Sequence, residues 1–372
     1  MSQAMSESMS ESKTGRPHRY LVVGSGWRSG VYLRLGTGFP DRLRATGIVA
    51  ETSAQAEEAG AKWGLPAGTS VEEAVKRDKP DFVCVLVPWK VAPVITGAVV
   101  RMGTPVMCET PPAEDLDGLK SVWADVGSSG LVQSSEQYLR YPSQVARLKI
   151  IESGQIGKVT AVHVSQSHLY HEVSVLRKFL GADMSPLTVT AHDVPVGLVE
   201  PQDYGLWSYD DAVKDLVNTF AHLGFDSGGF GTYDFTTRQW WNPLRVDRIV
   251  VNGSRGEILD DRVTYLQGNR RIVTDCLNRR HGGDEMTFEG RELDQISYAG
   301  QLLWTNDWLG RNLTDDDLAL AAQLDAMGEW VAGNGPEPYP MAQACQDHAI
   351  SLAIEESAAA QKSLRVEGLP WM

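Results

Sequence analysis

The sequence predicts an α/β protein of two folded domains: a doubly wound parallel sheet, then an α+β domain around a large, mostly antiparallel sheet. Three observations carry this prediction. The stretch Tyr20-Leu-Val-Val-Gly24-Ser25-Gly26-Trp27-Arg28-Ser29-Gly30 reads as a buried strand, a glycine turn and a helix start. Strands and helices then alternate about every 25 residues as far as Gln137. Beyond Gln137 the alternation stops, and several strand-like stretches follow with few helices between them. A chain of 372 residues is long enough to bury two separate cores.

Taken in order, the apolar run Tyr20–Val23 is the first strand, and Val31, Leu33 and Leu35 mark the helix after the turn. Strand two spans Leu43–Ala50 and ends at Glu51, and an alanine-rich helix, Ala54–Trp63, is closed by Gly64. A short helix at Val71–Arg77 precedes the β-rich run Asp81–Val87, bounded by Pro80 and Pro88. Helix Ile95–Met102, strand Pro105–Glu109, helix Leu116–Val126 and strand Leu131–Ser135 complete the first domain, residues 18–140. In the second domain, 141–372, helices are expected at Ser143–Ser153, His171–Leu180, Thr314–Val331 and Ala342–Ala360. Thr314 followed by three aspartates is a helix N-terminus, with acids placed to meet the positive end of its dipole. Strands are expected at Lys158–Gln166, Thr188–Val194, Lys214–Phe220, Gly229–Thr236, Asp247–Val251 and Ile272–Cys276.

Composition narrows the function. A net charge of −14 argues against nucleic acid or an anionic membrane as partner, and no apolar run approaches the ~20 residues of a membrane span. Residues 1–17 are rich in Ser and Glu, lack an apolar core, and read as a disordered leader rather than a secretory signal. Cys84, Cys108, Cys276 and Cys345 form no CxxC pair and are expected free, as small buried hydrophobes in a reducing, cytoplasmic setting.

A strand, a glycine turn and a helix N-terminus in that order form an anion site: backbone N–H groups approach a pyrophosphate and the helix dipole favours its charge. Gly24, Ser25, Gly26, Trp27 and Arg28 are the candidate residues, with Ser29 where a third small residue is usual. Glu51, at the end of strand two, lies 25 residues after Gly26, against a usual gap of about 20 for the carboxylate that reads the adenosine ribose. A carboxylate there repels a 2′-phosphate, so NAD is expected over NADP; Arg28, beside the pyrophosphate, is the argument for NADP. Strand ends at the carboxyl edge of the sheet line the ligand crevice. Pro88, Trp89, Glu109, Thr110, Pro111, Pro112, Glu136 and Gln137 are accordingly placed near a nicotinamide.

These residues resemble a known family. Gly24-x-Gly26, then Val106-Met-Cys-Glu109-Thr110-Pro111, then Ser153-Gly154-x-Ile156-Gly157-Lys158-Val159 is similar to the glucose–fructose oxidoreductase / inositol dehydrogenase (Gfo/Idh/MocA) family, from about His18 onward. Gln137-Tyr-Leu-Arg140-Tyr-Pro142 resembles the lead into that family's second domain, and His171-Glu-Val-Ser174 through Gly181 resembles its active-site helix. The resemblance implies a Rossmann domain, a second domain whose open sheet often carries the oligomer interface, and hydride transfer between a nicotinamide and a carbinol carbon of a sugar or cyclitol. It also marks departures. The lysine of the family's Glu-Lys-Pro is Thr110 here, and its aspartates are Ser167 and Ser174, leaving His171 as the reactive match.

Oxidising an alcohol needs a base within hydrogen-bond reach of the hydroxyl, and an imidazole, titrating near ~6.5, suits the task. His171 is the candidate acid/base, with Tyr170 as proton relay and His168 beside the substrate. Lys90 and Lys178 are the lysines that offer a replacement positive charge. His168, His171 and Glu172 have some ligand-like spacing, and His192-Asp193 follows on a strand, but no pair stands at helical i, i+4 with a third ligand in sight, so no metal is expected. Asp234 and Gln239, in the polar-aromatic stretch Tyr233–Trp241, suit a polyol wall or a sheet face buried in an oligomer. The expected function is an NAD(P)-dependent polyol oxidoreductase acting as a homo-oligomer. The alternatives are a glycosidase- or lyase-type enzyme that oxidises its substrate transiently and a non-catalytic nucleotide-binding protein.

Overall fold

A computed structural model describes residues 15–203, 205–283 and 290–372. The expected leader therefore lies outside the described residues as far as residue 14, while Arg16 forks onto Asp81 at 2.9 and 2.8 Å. Two compact units emerge: one takes residues up to 141 with 281–294 and 305–344, the other 142–280, 295–304 and 345–372. The chain leaves the first unit after residue 141 and returns to it at 281–294 and 305–344.

The first unit opens with β1 (His18–Val23), α1 (Trp27–Gly38), β2 (Leu43–Val49), α2 (Ser53–Trp63), β3 (Ala67–Gly68) and α3 (Val71–Asp78). It continues with β4 (Phe82–Val85), α4 (Ala92–Arg101), β5 (Val106–Cys108), α5 (Leu116–Val126) and β6 (Val132–Ser134). The sheet is parallel, in the order β3-β2-β1-β4-β5-β6. Both faces are covered by helices, so its strands are continuous apolar runs. Leu21, Val22, Phe82, Val83, Cys84 and Met107 have no exposure, and the Tyr20 ring stacks on Phe82 at 5.6 Å. Helix ends follow their caps. Thr52 and Gln55 form a capping box on α2, and Gly64 closes that helix in the left-handed region. Asp115 accepts the Gly118 N–H at 2.8 Å to start α5.

The second unit begins with α6 (Pro142–Glu152), β7 (Val159–Ser165), α7 (Leu169–Leu180) and β8 (Leu187–Val199). A two-residue ribbon, β9 (Gln202–Asp203) with β10 (Leu206–Trp207), precedes β11 (Val213–Phe225) and β12 (Phe230–Thr236). Next come β13 (Arg248–Gly253), β14 (Gly256–Leu259), β15 (Arg262–Gln267) and β16 (Arg271–Cys276). Then come β17 (Asn278–Gly282), β18 (Glu292–Tyr298) and β19 (Gln301–Thr305), which form a small sheet, α8 (Asp315–Val331), which belongs to the first unit, and α9 (Met341–Ala360) and β20 (Leu364–Val366). The large sheet has nine strands, β16-β15-β14-β13-β7-β12-β11-β8-β20. All its neighbours are antiparallel except β7 and β12.

β8 and β11 outrun their expected lengths because they pair with each other from Val213↔Val199 to Phe225↔Leu187. That register extends the ladder past Pro195 and Gly197, where the local pattern breaks off. Strands β14, β15 and β17 to β20 were not anticipated, since they are short and polar and owe their geometry to pairing. Cys276 departs from the expected burial: it is exposed, whereas Cys84, Cys108 and Cys345 are buried, and all four are free. Among the described residues no helix is long and apolar enough to cross a membrane.

Helix α7 packs on the sheet through a gap in β12. A Cβ at Gly231 would stand 2.3 Å from a Leu176 methyl group, so no larger residue fits without moving the helix. Gly231→Ala is expected to destabilise the protein by about 1–3 kcal/mol through overpacking, read as a lowered midpoint in urea unfolding.

Candidate functional site

In the first unit the strand order reverses between β1 and β4, and ligands of such sheets bind at the carboxyl ends beside that switch. Backbone bonds extend the sheet past its strands there. Gly24 N donates to Val49 O at 2.8 Å, Leu86 N to Val23 O at 2.8 Å, Glu109 N to Val85 O at 3.0 Å and Ser135 N to Cys108 O at 2.9 Å. The turn at 24–26, Glu51, Pro88, Glu109 and Gln137 thus follow successive strand ends along one edge. Gly24 has φ 124°, and a Cβ there would lie 2.3 Å from Leu86 O and 2.9 Å from Ser29 Oγ. Only glycine lets these two loops pass. Ser29 occupies the third small position fully buried.

Gly26 behaves differently. It caps α1 in an extended conformation that any residue adopts, and a Cβ there would meet nothing within 4 Å. Its missing side chain leaves room at the helix N-terminus, where free N–H groups face outward; this is the fit expected for a dinucleotide's pyrophosphate. Gln137 adds a second mark, a buried Oε1 with no hydrogen-bond partner, able to accept from a bound group. Glu51 is exposed beyond β2, and Trp27 and Trp89 are exposed at 71% and 45% along the same edge.

Arg28 changes its expected role. Its Nε donates to Glu109 Oε2 at 3.3 Å, and its guanidinium lies 5.7 Å from the Tyr32 ring centroid. The charge is thus committed to a carboxylate, which removes the argument that Arg28 favours NADP. Glu109 also accepts from Thr110 Oγ1 at 3.3 Å and Ser135 Oγ at 3.1 Å. Lys90 pairs with Glu114 at 3.5 Å on the surface, Lys178 is exposed in the last turn of α7, and Arg28 is the cation that bonds Glu109, the residue before Thr110. Glu136, expected at the nicotinamide end beside Gln137, is 2% exposed and accepts the Tyr138 N–H at 2.9 Å. Burial pushes its carboxyl up to about 8, with the Glu109 charge adding to the rise against the Tyr138 N–H.

The second unit holds the imidazole cluster. Helix α7 starts after His168 and ends at Gly181 in the left-handed region. Its first turn is pinned by Glu172, whose buried carboxyl accepts from Gln166 N and Ser167 N at 3.1 Å each and from Asp234 N at 3.4 Å. Burial drives this carboxyl well above its usual range even so. Tyr233 Oη accepts the Leu169 N–H at 3.2 Å, and Arg177 pairs with Asp347 of α9, both buried.

This anchoring gathers aromatic and imidazole rings. His168 meets His171 edge-on at 5.2 Å, lies 4.9 Å from Trp240, and its Nε2 is 3.4 Å from Tyr170 Oη. Trp240 stacks on Phe235 at 5.1 Å, and Tyr170 meets His348 at 5.7 Å. Burial, helped by His171, pushes His168 down to about 3, so it stays neutral; its Nδ1 is buried without a hydrogen-bond partner. Ser174, where the resemblance has an aspartate, turns back to donate to His171 O at 2.7 Å. Among the described residues no three His, Cys, Asp or Glu side chains form a metal-holding group.

Two expected substrate residues are engaged within the second unit. Asp234 pairs across the ladder with Phe220, on the opposite face of the sheet from Gly231 and α7, where it binds Arg248 and Asn218 at 2.9 Å. Period-two alternation separates it from His171. Gln239 is buried and its amide is spent: Oε1 accepts from Thr236 N at 3.1 Å, and Nε2 donates to Ser165 O and Oγ at 3.1 and 3.0 Å. Trp240 belongs to the polar-aromatic stretch read as a polyol wall or a buried sheet face, and His348, from a distant helix, is the ring neighbour that sequence reasoning missed.

Two predictions follow from the edge. Gly26→Val is expected to leave the unliganded melting temperature unchanged, within about 0.5 kcal/mol, while abolishing the rise on adding NAD. Glu136 ionises near 4.5 when unfolded and near 8 when folded, so its contribution is intact below the lower value and is lost as pH rises through the higher. Wild-type stability is therefore expected to fall by about 4 kcal/mol more than that of Glu136→Gln between pH 5 and 9, measured by urea unfolding.

No curated protein matches the chain. Solved structures share its fold. An oxidoreductase from Agrobacterium radiobacter in complex with NAD+, L-tartaric acid and magnesium has TM-score 0.65 at 15% identity, over 93% of this chain and 97% of that one. The WlbA dehydrogenase from Bordetella pertussis, in complex with NADH and UDP-GlcNAcA, has TM-score 0.62 at 16% identity, over 95% and 100%. The aldose–aldose oxidoreductase from Caulobacter crescentus, complexed with glycerol, has TM-score 0.63 at 15% identity, over 94% and 100%. Residues 18–136 match the family model described as oxidoreductase family, NAD-binding Rossmann fold. The first unit's parallel sheet thus lies within the stretch that is similar to the NAD-binding Rossmann fold of that oxidoreductase family.

Proposed function

We propose that the chain is an NAD-dependent oxidoreductase that moves a hydride between nicotinamide and a carbinol carbon of a sugar, cyclitol or related polyol. The observation that carries the substrate class is the ring cluster at the start of α7. His168, Tyr170, His171, Phe235 and Trp240 offer apolar faces for a sugar's C–H surface, with imidazole and phenol groups for its hydroxyls. L-Tartaric acid, UDP-GlcNAcA and glycerol, each bearing hydroxyls, occupy the structural neighbours.

The turn at Gly24, Ser25 and Gly26, with Trp27 beside it, holds the pyrophosphate, and Glu51 reads the adenosine ribose. Pro88, Trp89, Glu109 and Gln137 flank the nicotinamide end, with Thr110 next to it. NAD supplies the hydride acceptor when bound. His171 takes the hydroxyl proton as the carbinol becomes a carbonyl, and His168, held neutral, orients the Tyr170 hydroxyl as the relay. Arg28 has no proton-accepting role, because a guanidinium stays protonated.

The open face of the large sheet is proposed to pair with a second copy. Val194, Phe220 and Phe230, exposed at 49%, 43% and 36%, lie on the face opposite α7.

The first test is the melting temperature with NAD and with NADP. A ligand bound only by the native state adds about 2.7 kcal/mol at a hundredfold excess over Kd. A rise with NAD alone is expected, and a rise with NADP alone refutes the role of Glu51. Polyols are then screened for NAD reduction, and His171→Gln is expected to lower kcat by about 10²–10⁴-fold with NAD binding unchanged. Turnover of substrate without net NADH points to transient oxidation. Activity indifferent to His171 removes the proton-transfer reading. Light scattering on the purified protein reports the oligomer, and Phe220→Lys is expected to shift it toward monomer.

A further inference from the structure

The Arg28–Glu109 pair is unusual for where it stands. Arg28 occupies the first turn of α1, which contains no acidic residue; there the helix dipole disfavours a cation. Both partners are largely withdrawn from water, with 18% and 19% of their side chains exposed, so their desolvation is a cost that a buried pair recovers only in part. Stability alone is a poor reason for this pair. It is nevertheless held firmly. Glu109 is tied by its N–H to Val85 O at 3.0 Å and accepts from Thr110 and Ser135 hydroxyls at 3.3 and 3.1 Å. Arg28 leans toward the face of the fully buried Tyr32. Two opposite unit charges are thereby fixed at a strand end on the ligand edge of the sheet.

The two redox forms of a nicotinamide differ by one positive charge on the ring. A fixed cation nearby weakens binding of the oxidised form relative to the reduced one, and a fixed carboxylate does the reverse. We propose that Arg28 and Glu109 act as an opposed pair that sets the preference of this site between NAD+ and NADH, an inference that rests on the cofactor reading above. Arg28 is then a positioning and charge-balancing residue: it offsets Glu109, which would otherwise hold the oxidised form too tightly. Glu136, buried beside them and largely neutral near pH 7, leaves that balance to the other two.

The test is the ratio Kd(NAD+)/Kd(NADH) for the full chain at pH 7 and low salt, with NADH titrated by its fluorescence and NAD+ by calorimetry. Arg28→Met is expected to lower the ratio about tenfold and Glu109→Gln to raise it about tenfold, the scale of a unit charge about 10–12 Å away at an effective dielectric near 20. Arg28→Lys is expected to keep the wild-type ratio, and the double variant Arg28→Met/Glu109→Gln to return toward it. A pair that only supports the fold predicts that both constants change together and the ratio stays fixed, which overturns the proposal. Single-variant shifts of the same sign also overturn it. If the wild type binds neither nucleotide, the cofactor reading fails and takes this proposal with it; binding with an unmoved ratio defeats the proposal alone.

Discussion

The first unit depends on a missing side chain. At Gly24 the backbone takes φ 124° and passes so close to Leu86 O that a Cβ would stand 2.3 Å from it. That contact joins the loop after β1 to the loop after β4, the two strands between which the sheet order reverses. With the loops locked, α1 starts where its N–H groups face the crevice, and Ser29 packs with no exposure beneath the turn. Gly26, two residues on, has no such protein constraint. The same motif thus contains one glycine required by the fold and one that leaves space for a ligand.

The second unit is ordered by a buried carboxyl instead. Glu172 gathers backbone N–H groups from the end of β7 and from β12, and so sets where α7 begins. Three donors on a desolvated carboxyl meet the general requirement that a buried polar group be hydrogen-bonded. Its position beside His171 in sequence made it look like a metal-ligand candidate, whereas its place in the structure is that of a brace. The rings of His168, Tyr170 and His171 are presented by the turn that this brace fixes.

Charge at the sheet edge shows how one replacement is read differently in isolation and in context. Thr110, in place of a lysine, reads as the loss of a cation. The structure brings Arg28 across from α1 to the neighbouring Glu109, so a positive charge is present but paired and unable to shuttle protons.

The sequence by itself determined what depends on local chemistry. Alternating apolar runs and caps placed five of the six parallel strands, all but the two-residue β3, and their helices to within a few residues, and Thr314 with Asp317 marked the start of α8 because a capping box is written in neighbouring residues. The glycine turn and the ring-rich start of α7 were legible for the same reason. Tertiary structure decided whatever depends on distant partners: the full length of β8 and β11, set by their mutual register, the short polar strands β14 and β15, and the ring contact of His348 from α9. It also decided sides and pairings. Asp234 lies on the face away from α7, Gln239 is spent on Ser165 and Thr236, and Arg28 is drawn to Glu109, 81 residues away. A residue type states what a side chain can do; its neighbours, which no local window contains, decide which of those capacities is left to use.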